Sequence, residues 1–249
     1  MAGHSHWARI KRAKGVADAR RGREWSRLSR AIIVAARNGG GDPDGNLALR
    51  YAIDAARDAN MPKDTIERAI KKGTGELGGA ALEELFFEGY GPGGAAVLVA
   101  ALTDNRNRTA PEIKKIFEMR GGNLGATNCV AWMFTKRGVF LIARDKTDED
   151  TLTNLALETG ADDVQVQGDG YELTCDPAVF NTVRTALERA GIKPDSAEIS
   201  MVASTHVTLA GEEAERVMKL IDALEEHDDV NNVYSNFELS EADAARLSS

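Results

Sequence analysis

The order of apolar periodicities along the chain is the feature that most limits its fold. Between residues 136 and 203 the pattern reads strand, helix, strand, strand, helix, strand. This βαββαβ order is typical of a ferredoxin-like unit. When this stretch is removed, the flanking segments spell a second βαββαβ order, in strands 95–103, 128–134, 205–209 and 231–239 and helices 109–120 and 211–226.

The two patterns predict an α+β protein in which one ferredoxin-like domain is inserted into another. Residues 136–203 form the inserted domain, and residues 76–135 and 204–249 form the discontinuous one, with strand 85–90 as an extra edge. Two sequential α/β domains are the competing layout. That layout would leave an orphan βαβ segment at each end.

The sequence pattern of residues 1–75 predicts an all-helical domain. Gly39 to Gly41 end a long helix, Asp42-Pro43 begins a second, and Pro62 begins a third that stops at Gly73. This domain precedes a glycine-rich linker.

Charge is distributed very unevenly between this helical domain and the rest of the chain. The 249 residues carry a net charge of -8, which by itself argues against nucleic-acid binding. However, residues 1–72 hold 16 Lys and Arg against 8 Asp and Glu, a net of +8, and the remainder holds 15 against 31, a net of -16. This segregation indicates a basic module that meets polyanions, carried on an acidic body.

The basic charge is concentrated on one face of the predicted helix 16–38. An apolar stripe of Trp25, Leu28, Ile32 and Ala35 defines the face that packs. Arginines recur on the opposite face, and bases also crowd the preceding arm around Trp7. We expect these residues to bind nucleic acid, the arginines through phosphates: Trp7, Arg9, Lys11, Arg12, Lys14, Arg20, Arg23, Arg27, Arg30 and Arg37. A basic but merely solvated surface is the alternative.

A second candidate contact lies in the segment 104–109, which reads DNRNRT between a strand and a helix. Arg106 and Arg108 would sit where helix amides already favour anions, and they suit phosphates or RNA base edges. The alternative is a loop that uses Asn for turns and Arg for surface salt bridges.

Candidates for catalysis or metal binding are few. His4 and His6 lack the further ligands that would complete a metal site. Cys129 and Cys175 both lie in apolar strand patterns, which favours buried structural thiols in a reducing cytoplasm over a disulfide scaffold. The longest apolar run, 95–102, is too short to span a membrane. We therefore predict a cytoplasmic protein that is not an enzyme and needs no cofactor or metal.

Several long motifs closely resemble the YebC family. They are the opening MAGHSHWARIK, the helix ARRGREWSRLSRAIIVAARNGGGDPDGN, then ANMPKDTIERAIKKGTGE, FEGYGPGG, TDNRNRT and GGNLG followed by WMF. Where members usually read WANIKHRK, this chain has Arg9, Arg12 and Ala13 in an otherwise similar basic run. The resemblance covers essentially the whole chain.

This resemblance implies a helical amino-terminal domain and two α/β domains around a cleft. It also implies a regulator of gene expression, since bacterial members have been described as DNA-binding transcriptional regulators. Other members have been linked to ribosomes, in relief of stalling at proline-rich stretches and in mitochondrial translational activation.

We expect a non-enzymatic nucleic-acid-binding regulator that acts on RNA or ribosomes. The basic stripe lacks a helix-turn-helix pairing and amide or acid groups to read major-groove edges, whereas phosphate and shape recognition suits structured RNA. A DNA-binding transcriptional regulator is the first alternative. A protein-interaction scaffold that docks an acidic partner is the second.

Overall fold

The computed structural model describes residues 17–77, 82–167, 170–240 and 243, without the side chains of residues 17–23 and 167. The α-helices are α1 (Ala17–Gly39), α2 (Leu47–Asp58), α3 (Lys63–Gly73), α4 (Arg106–Met119), α5 (Glu149–Thr159), α6 (Phe180–Arg189) and α7 (Gly211–Glu225). The strands are β1 (Glu83–Tyr90), β2 (Ala96–Thr103), β3 (Asn123–Leu124), β4 (Phe134–Ala143), β5 (Asp163–Gln167), β6 (Gly170–Cys175), β7 (Ser196–Ala203), β8 (Val207–Leu209), β9 (Val230–Ser235) and β10 (Phe237–Leu239). Short 3-10 turns at 92–94, 131–133, 144–146 and 177–179 connect some of them.

Helices α1, α2 and α3 pack around an apolar core of their own, as the sequence predicts. Ile32 and Ile33 of α1 are buried there with Leu49 and Ile66, and Trp25 covers one side. The second helix begins later than predicted. Its cap is Asn46, whose side chain accepts a hydrogen bond from the Leu49 amide at 3.1 Å.

Strands β4 to β7 form an antiparallel sheet in the order β5-β6-β4-β7. This is the ferredoxin-like order, in which the first and third strands lie at the centre. In its register Phe140 stands opposite Leu173, and both side chains face a core covered by α5 and α6. The predicted α+β fold class is confirmed, while the exact domain boundaries at residues 75, 135 and 203 stay predictions.

The other sheet has the order β3-β1-β2-β9, and α4 and α7 cover it through Ile113, Phe117 and Leu220. The predicted edge position of strand 85–90 is wrong, because β1 lies between β2 and β3. It fills the central position that a ferredoxin-like order would give to residues 205–209. Those residues form β8 instead, which pairs in parallel with β10 in a separate two-stranded ribbon.

The predicted strand over residues 128–134 is also wrong, because only its last residue, Phe134, lies in a strand. The carboxylate of Glu88, buried on β1, accepts hydrogen bonds from the amides of Asn128 at 2.7 Å, Val130 at 2.9 Å and Ala131 at 2.7 Å. These bonds hold the segment as a turn followed by a 3-10 helix. Because the partners lie about forty residues apart, the local pattern could not reveal them.

In the described part of the chain, no helix is both long enough and apolar enough to cross a membrane.

Candidate nucleic-acid interface

Part of the predicted contact surface lies beyond what the structure describes. Trp7, Arg9, Lys11, Arg12 and Lys14 fall within residues 1–16, which are outside the described residues. Arg20 and Arg23 lie on the backbone of α1, but their side chains are not described. The remaining five predicted contacts, which can be placed, are Arg27, Arg30, Arg37, Arg106 and Arg108.

The arginine face of α1 meets the protein's own α/β body at its centre. Arg27 donates a hydrogen bond to the backbone carbonyl of Asn231, and Arg30 donates one to the carbonyl of Asp228. Both arginines are half-buried. The expectation that the whole row faces solvent therefore needs correction, because helix α1 packs through its apolar stripe on one side and through these arginines on the other.

Arg37, at the end of α1, is exposed and donates to the backbone carbonyl of Leu82 at 2.7 Å. This bond ties the end of the long helix to the residue that precedes β1.

A groove of about 1260 Å³ runs between the helical unit and the α/β body. Its walls come from α1, α3, α4 and the loop between α7 and β9. Arg30 and Arg108 both line it, so the structure brings together two candidate contacts that are 78 residues apart in sequence. Its lining includes the four bases Arg30, Lys72, Arg108 and Lys115 and five acids, among them Asp228 and Asp229.

The buried carboxylate of Asp229 is the centre of this junction. Its Oδ2 accepts hydrogen bonds from Arg108 Nη2 and Thr109 Oγ1, both at 2.7 Å, and from Thr103 Oγ1 at 3.2 Å. Its Oδ1 lies 4.0 Å from Arg30 Nη1. One carboxylate therefore sits between an arginine of the helical unit and an arginine of the α/β body.

These contacts determine the protonation state of Asp229. Burial on its own would raise the pKa of this carboxyl, but the hydrogen bonds from Arg108 and Thr109 outweigh it and the pKa is lowered. The same hydrogen bond raises the pKa of Arg108. Asp229 is consequently a fixed negative charge at neutral pH.

The segment 104–109 differs from its predicted form. Helix α4 begins at Arg106, capped by the side chain of Asn105, which accepts from the Arg108 amide at 3.2 Å. Thr109 lies inside the first turn of this helix, and its hydroxyl is buried against Asp229. The anion position predicted at this helix start is thus filled by the chain's own carboxylate.

Arg106 and Arg108 consequently have different surroundings. Arg108 is bound to Asp229 and also lies 3.3 Å from Asp104. The side chain of Arg106 is exposed and forms no hydrogen bond or ion pair with the described residues. On α3, the side chains of Arg68, Lys71 and Lys72 are exposed as well, and Lys72 lines the groove.

His227 connects the α7–β9 loop to helix α4 on the α/β side of the groove. Its Nδ1 accepts from the Asp229 amide at 3.1 Å, and its Nε2 lies 3.0 Å from Glu112 Oε2. An accepting Nδ1 assigns the proton to Nε2, which then donates to Glu112. This arrangement stabilises the loop that carries Asp229.

The cysteines are not activated. Burial raises the pKa of the Cys129 thiol, and the nearby Glu88 charge raises it further. Burial, with help from Asp162 and Asp176, raises the pKa of Cys175 to about 11. Cys175 is buried in β6 as predicted, whereas Cys129 lies in the turn held by Glu88.

No cluster of three or more His, Cys, Asp or Glu side chains that could hold a metal occurs among the described residues.

Two family models match this chain over nearly its whole length. The TACO1/YebC protein N-terminal domain matches residues 5–76, and the TACO1/YebC second and third domain matches residues 82–237. The chain belongs to the TACO1/YebC family. This confirms the family resemblance that the sequence motifs carry.

Individual relatives of this TACO1/YebC chain agree with that membership. A protein of Pelotomaculum thermopropionicum is 55% identical over 97% of this chain and 100% of its own length, and one of Geobacter sulfurreducens is 52% identical over 99% and 100%. Both are called probable transcriptional regulatory proteins. These names support the coarser part of the prediction, a regulator of gene expression.

A solved structure of a conserved hypothetical protein from Aquifex aeolicus has the same fold. It superposes with a TM-score of 0.80 at 45% identity, covering 90% of this chain and 93% of the other.

Sequence reasoning missed the residue that lies between the two arginines of the TACO1/YebC groove. Asp228 and Asp229 look like two solvated loop charges in the sequence, yet Asp229 is only 5% exposed. No local pattern distinguishes it, since its partners Arg108 and Thr109 precede it by at least 120 residues. The only signal was indirect: the polar run DNRNRT had no evident partner.

Proposed function

We propose that this protein regulates gene expression by binding RNA, with its helical unit as the main contact and the ribosome as the site of action. The observation that carries this proposal is the concentration of positive charge, a net of +8 in residues 1–72 against -16 in the rest. Phosphate neutralisation by Lys and Arg supplies most of the affinity of such surfaces.

The described part of the helical unit supports this proposal. Arg37, Arg68, Lys71 and Lys72 are exposed on α1 and α3, and Arg106 is exposed at the start of α4 beside the groove. The predicted arm around Trp7 and the arginines Arg20 and Arg23 extend the same charge along the chain. The acidic α/β body would repel phosphates elsewhere and so orient the RNA on the helical unit.

Shape and phosphate recognition favours structured RNA over a defined DNA sequence. Arginine side chains dominate the proposed contacts, while direct reading of a major groove also needs amide or acid groups at base edges. A DNA-binding transcriptional regulator is the second candidate, because the relatives from Pelotomaculum thermopropionicum and Geobacter sulfurreducens are called probable transcriptional regulatory proteins.

Crosslinking the protein to nucleic acid in living cells, followed by sequencing of the bound fragments, distinguishes the two. We expect ribosomal or messenger RNA to be enriched over a sample crosslinked with the Arg20→Glu/Arg23→Glu variant. Enrichment of promoter DNA without RNA would support the transcriptional candidate and overturn the RNA proposal.

The protein-interaction scaffold is tested by nuclease treatment, with the Arg20→Glu/Arg23→Glu variant as the control that should lose an acidic protein partner. If the basic face docks an acidic protein, nuclease treatment before purification leaves the bound partner in place.

A further inference from the structure

We infer that the α7–β9 loop is an intramolecular competitor for the RNA-binding arginines, so that RNA binding opens the groove between the helical unit and the α/β body. This inference rests on the proposed function and concerns the regulation of the same site. This loop comprises residues 226–229, and the competing segment also includes Val230 and Asn231, the first two residues of β9.

The competition follows from what the loop occupies. The carbonyls of Asp228 and Asn231 accept the guanidinium hydrogen bonds of Arg30 and Arg27. The Asp229 carboxylate adds a negative charge 4.0 Å from Arg30. These acceptors offer arginine the same kind of bond that a phosphate oxygen would, so an arginine held by the loop is not available to RNA.

The charges of the two elements are complementary, as they would be in a contact that imitates RNA. Helix α1 carries six arginines against two acids. From residue 211 to 229 the chain carries eight acids against Arg216 and Lys219. Docking of the basic helix onto this acidic stretch lowers the affinity for RNA by the fraction of molecules that are closed.

The contact between the arginines of α1 and the α7–β9 loop can also open. Arg30 retains 25% of its side-chain exposure and lines the groove, so other acceptors can reach its guanidinium. The helical unit is held a second time by Tyr51, whose ring meets Phe180 edge-on at 5.3 Å and whose hydroxyl donates to the Pro177 carbonyl at 3.3 Å. This contact joins α2 to α6 and the turn before it, does not involve the loop, and would act as the pivot.

A reversible covalent lock tests the inference. Ser29 on α1 and Asp228 on the loop both line the groove, so the Ser29→Cys/Asp228→Cys variant can be joined by a bismaleimide with a cleavable disulfide spacer. A Cys129→Ser background removes the half-buried native thiol, while Cys175 is buried and has a raised pKa. Binding is read by the anisotropy of a labelled RNA stem–loop.

We expect the joined protein to bind this RNA about tenfold more weakly than the same protein after reduction. The Cys129→Ser protein treated with the same reagent is the control and should not change. Equal affinity of the joined and reduced forms would overturn the inference while leaving the proposed function intact. If the reduced form fails to bind RNA, both the inference and the proposed function are wrong.

A second measurement does not depend on the lock. Spin labels on Glu24→Cys of α1 and Glu118→Cys of α4, both exposed positions, report the separation of the two units. Saturating RNA should lengthen the distance between the labels. An unchanged distance distribution with RNA bound would overturn the inference.

Discussion

Asp229 shows how much a single side chain can depend on residues far away in sequence. Its carboxylate is surrounded by Thr103, Arg108 and Thr109, and these donors more than offset the cost of burial. The sequence predicted the arginine at the helix start but assigned it to an external anion. In the structure the Asp229 carboxylate binds Arg108 instead, because an internal carboxylate satisfies the arginine as an external anion would.

Replacement of this carboxylate should therefore be costly. We expect Asp229→Asn to lower the free energy of unfolding by roughly 1–3 kcal/mol, since it removes the charge that pairs with Arg108 and disturbs two threonine hydrogen bonds. Urea denaturation at pH 7 measures the change. Asp162→Asn is the matched control, because its carboxylate pairs with Arg137 at the surface, where an ion pair contributes little.

The same residue gives a pH dependence of known sign. The pKa of Asp229 is lowered on folding, so its contribution is fully present above its unfolded value near pH 4 and is lost as the pH falls through the lowered folded value. The stability difference between wild type and Asp229→Asn should shrink when the urea titration is repeated at decreasing pH. A difference that stays constant would contradict the assigned role.

Local periodicity predicted most helices, while long-range pairing decided the strands. The long helix α1 and the turn at Pro62 follow from stripes and breakers that a short window contains. The central place of β1 does not, because it depends on pairing with β3 and β2 on its two sides. The segment at Asn128 has a strand-like pattern, but three hydrogen bonds to Glu88 determine its conformation.

Glu88→Gln tests whether that carboxylate holds the segment. An amide side chain offers one acceptor oxygen where the carboxylate offers two, so we expect faster hydrogen exchange at the amides of Val130 and Ala131 and a loss of roughly 1–3 kcal/mol of stability. Glu84→Gln, exposed on the same strand, should leave both unchanged. Unaltered exchange at Val130 in Glu88→Gln would show that the turn forms without the carboxylate.

Across the whole molecule, the division of charge connects fold and function. A basic helical unit docks on an acidic α/β body, and the two share a groove in which Arg30 and Arg108 both lie close to Asp229. The segregation and the fold class could be predicted from the sequence. The docking could not, because nothing in the pattern of α1 indicates that Arg27 and Arg30 contact carbonyls some 200 residues away.

In the proposed function, the helical unit binds RNA through its arginines. The most direct measurement is the affinity for a labelled RNA stem–loop as a function of salt concentration, for wild type, Arg20→Glu/Arg23→Glu and Arg189→Glu/Lys193→Glu. The last variant makes the same change in net charge at exposed positions of the α/β body. We predict that Arg20→Glu/Arg23→Glu lowers affinity by about tenfold or more and flattens the salt dependence by about two phosphate contacts, while the control variant binds like wild type. Equal losses in both variants, or none in either, would contradict the account.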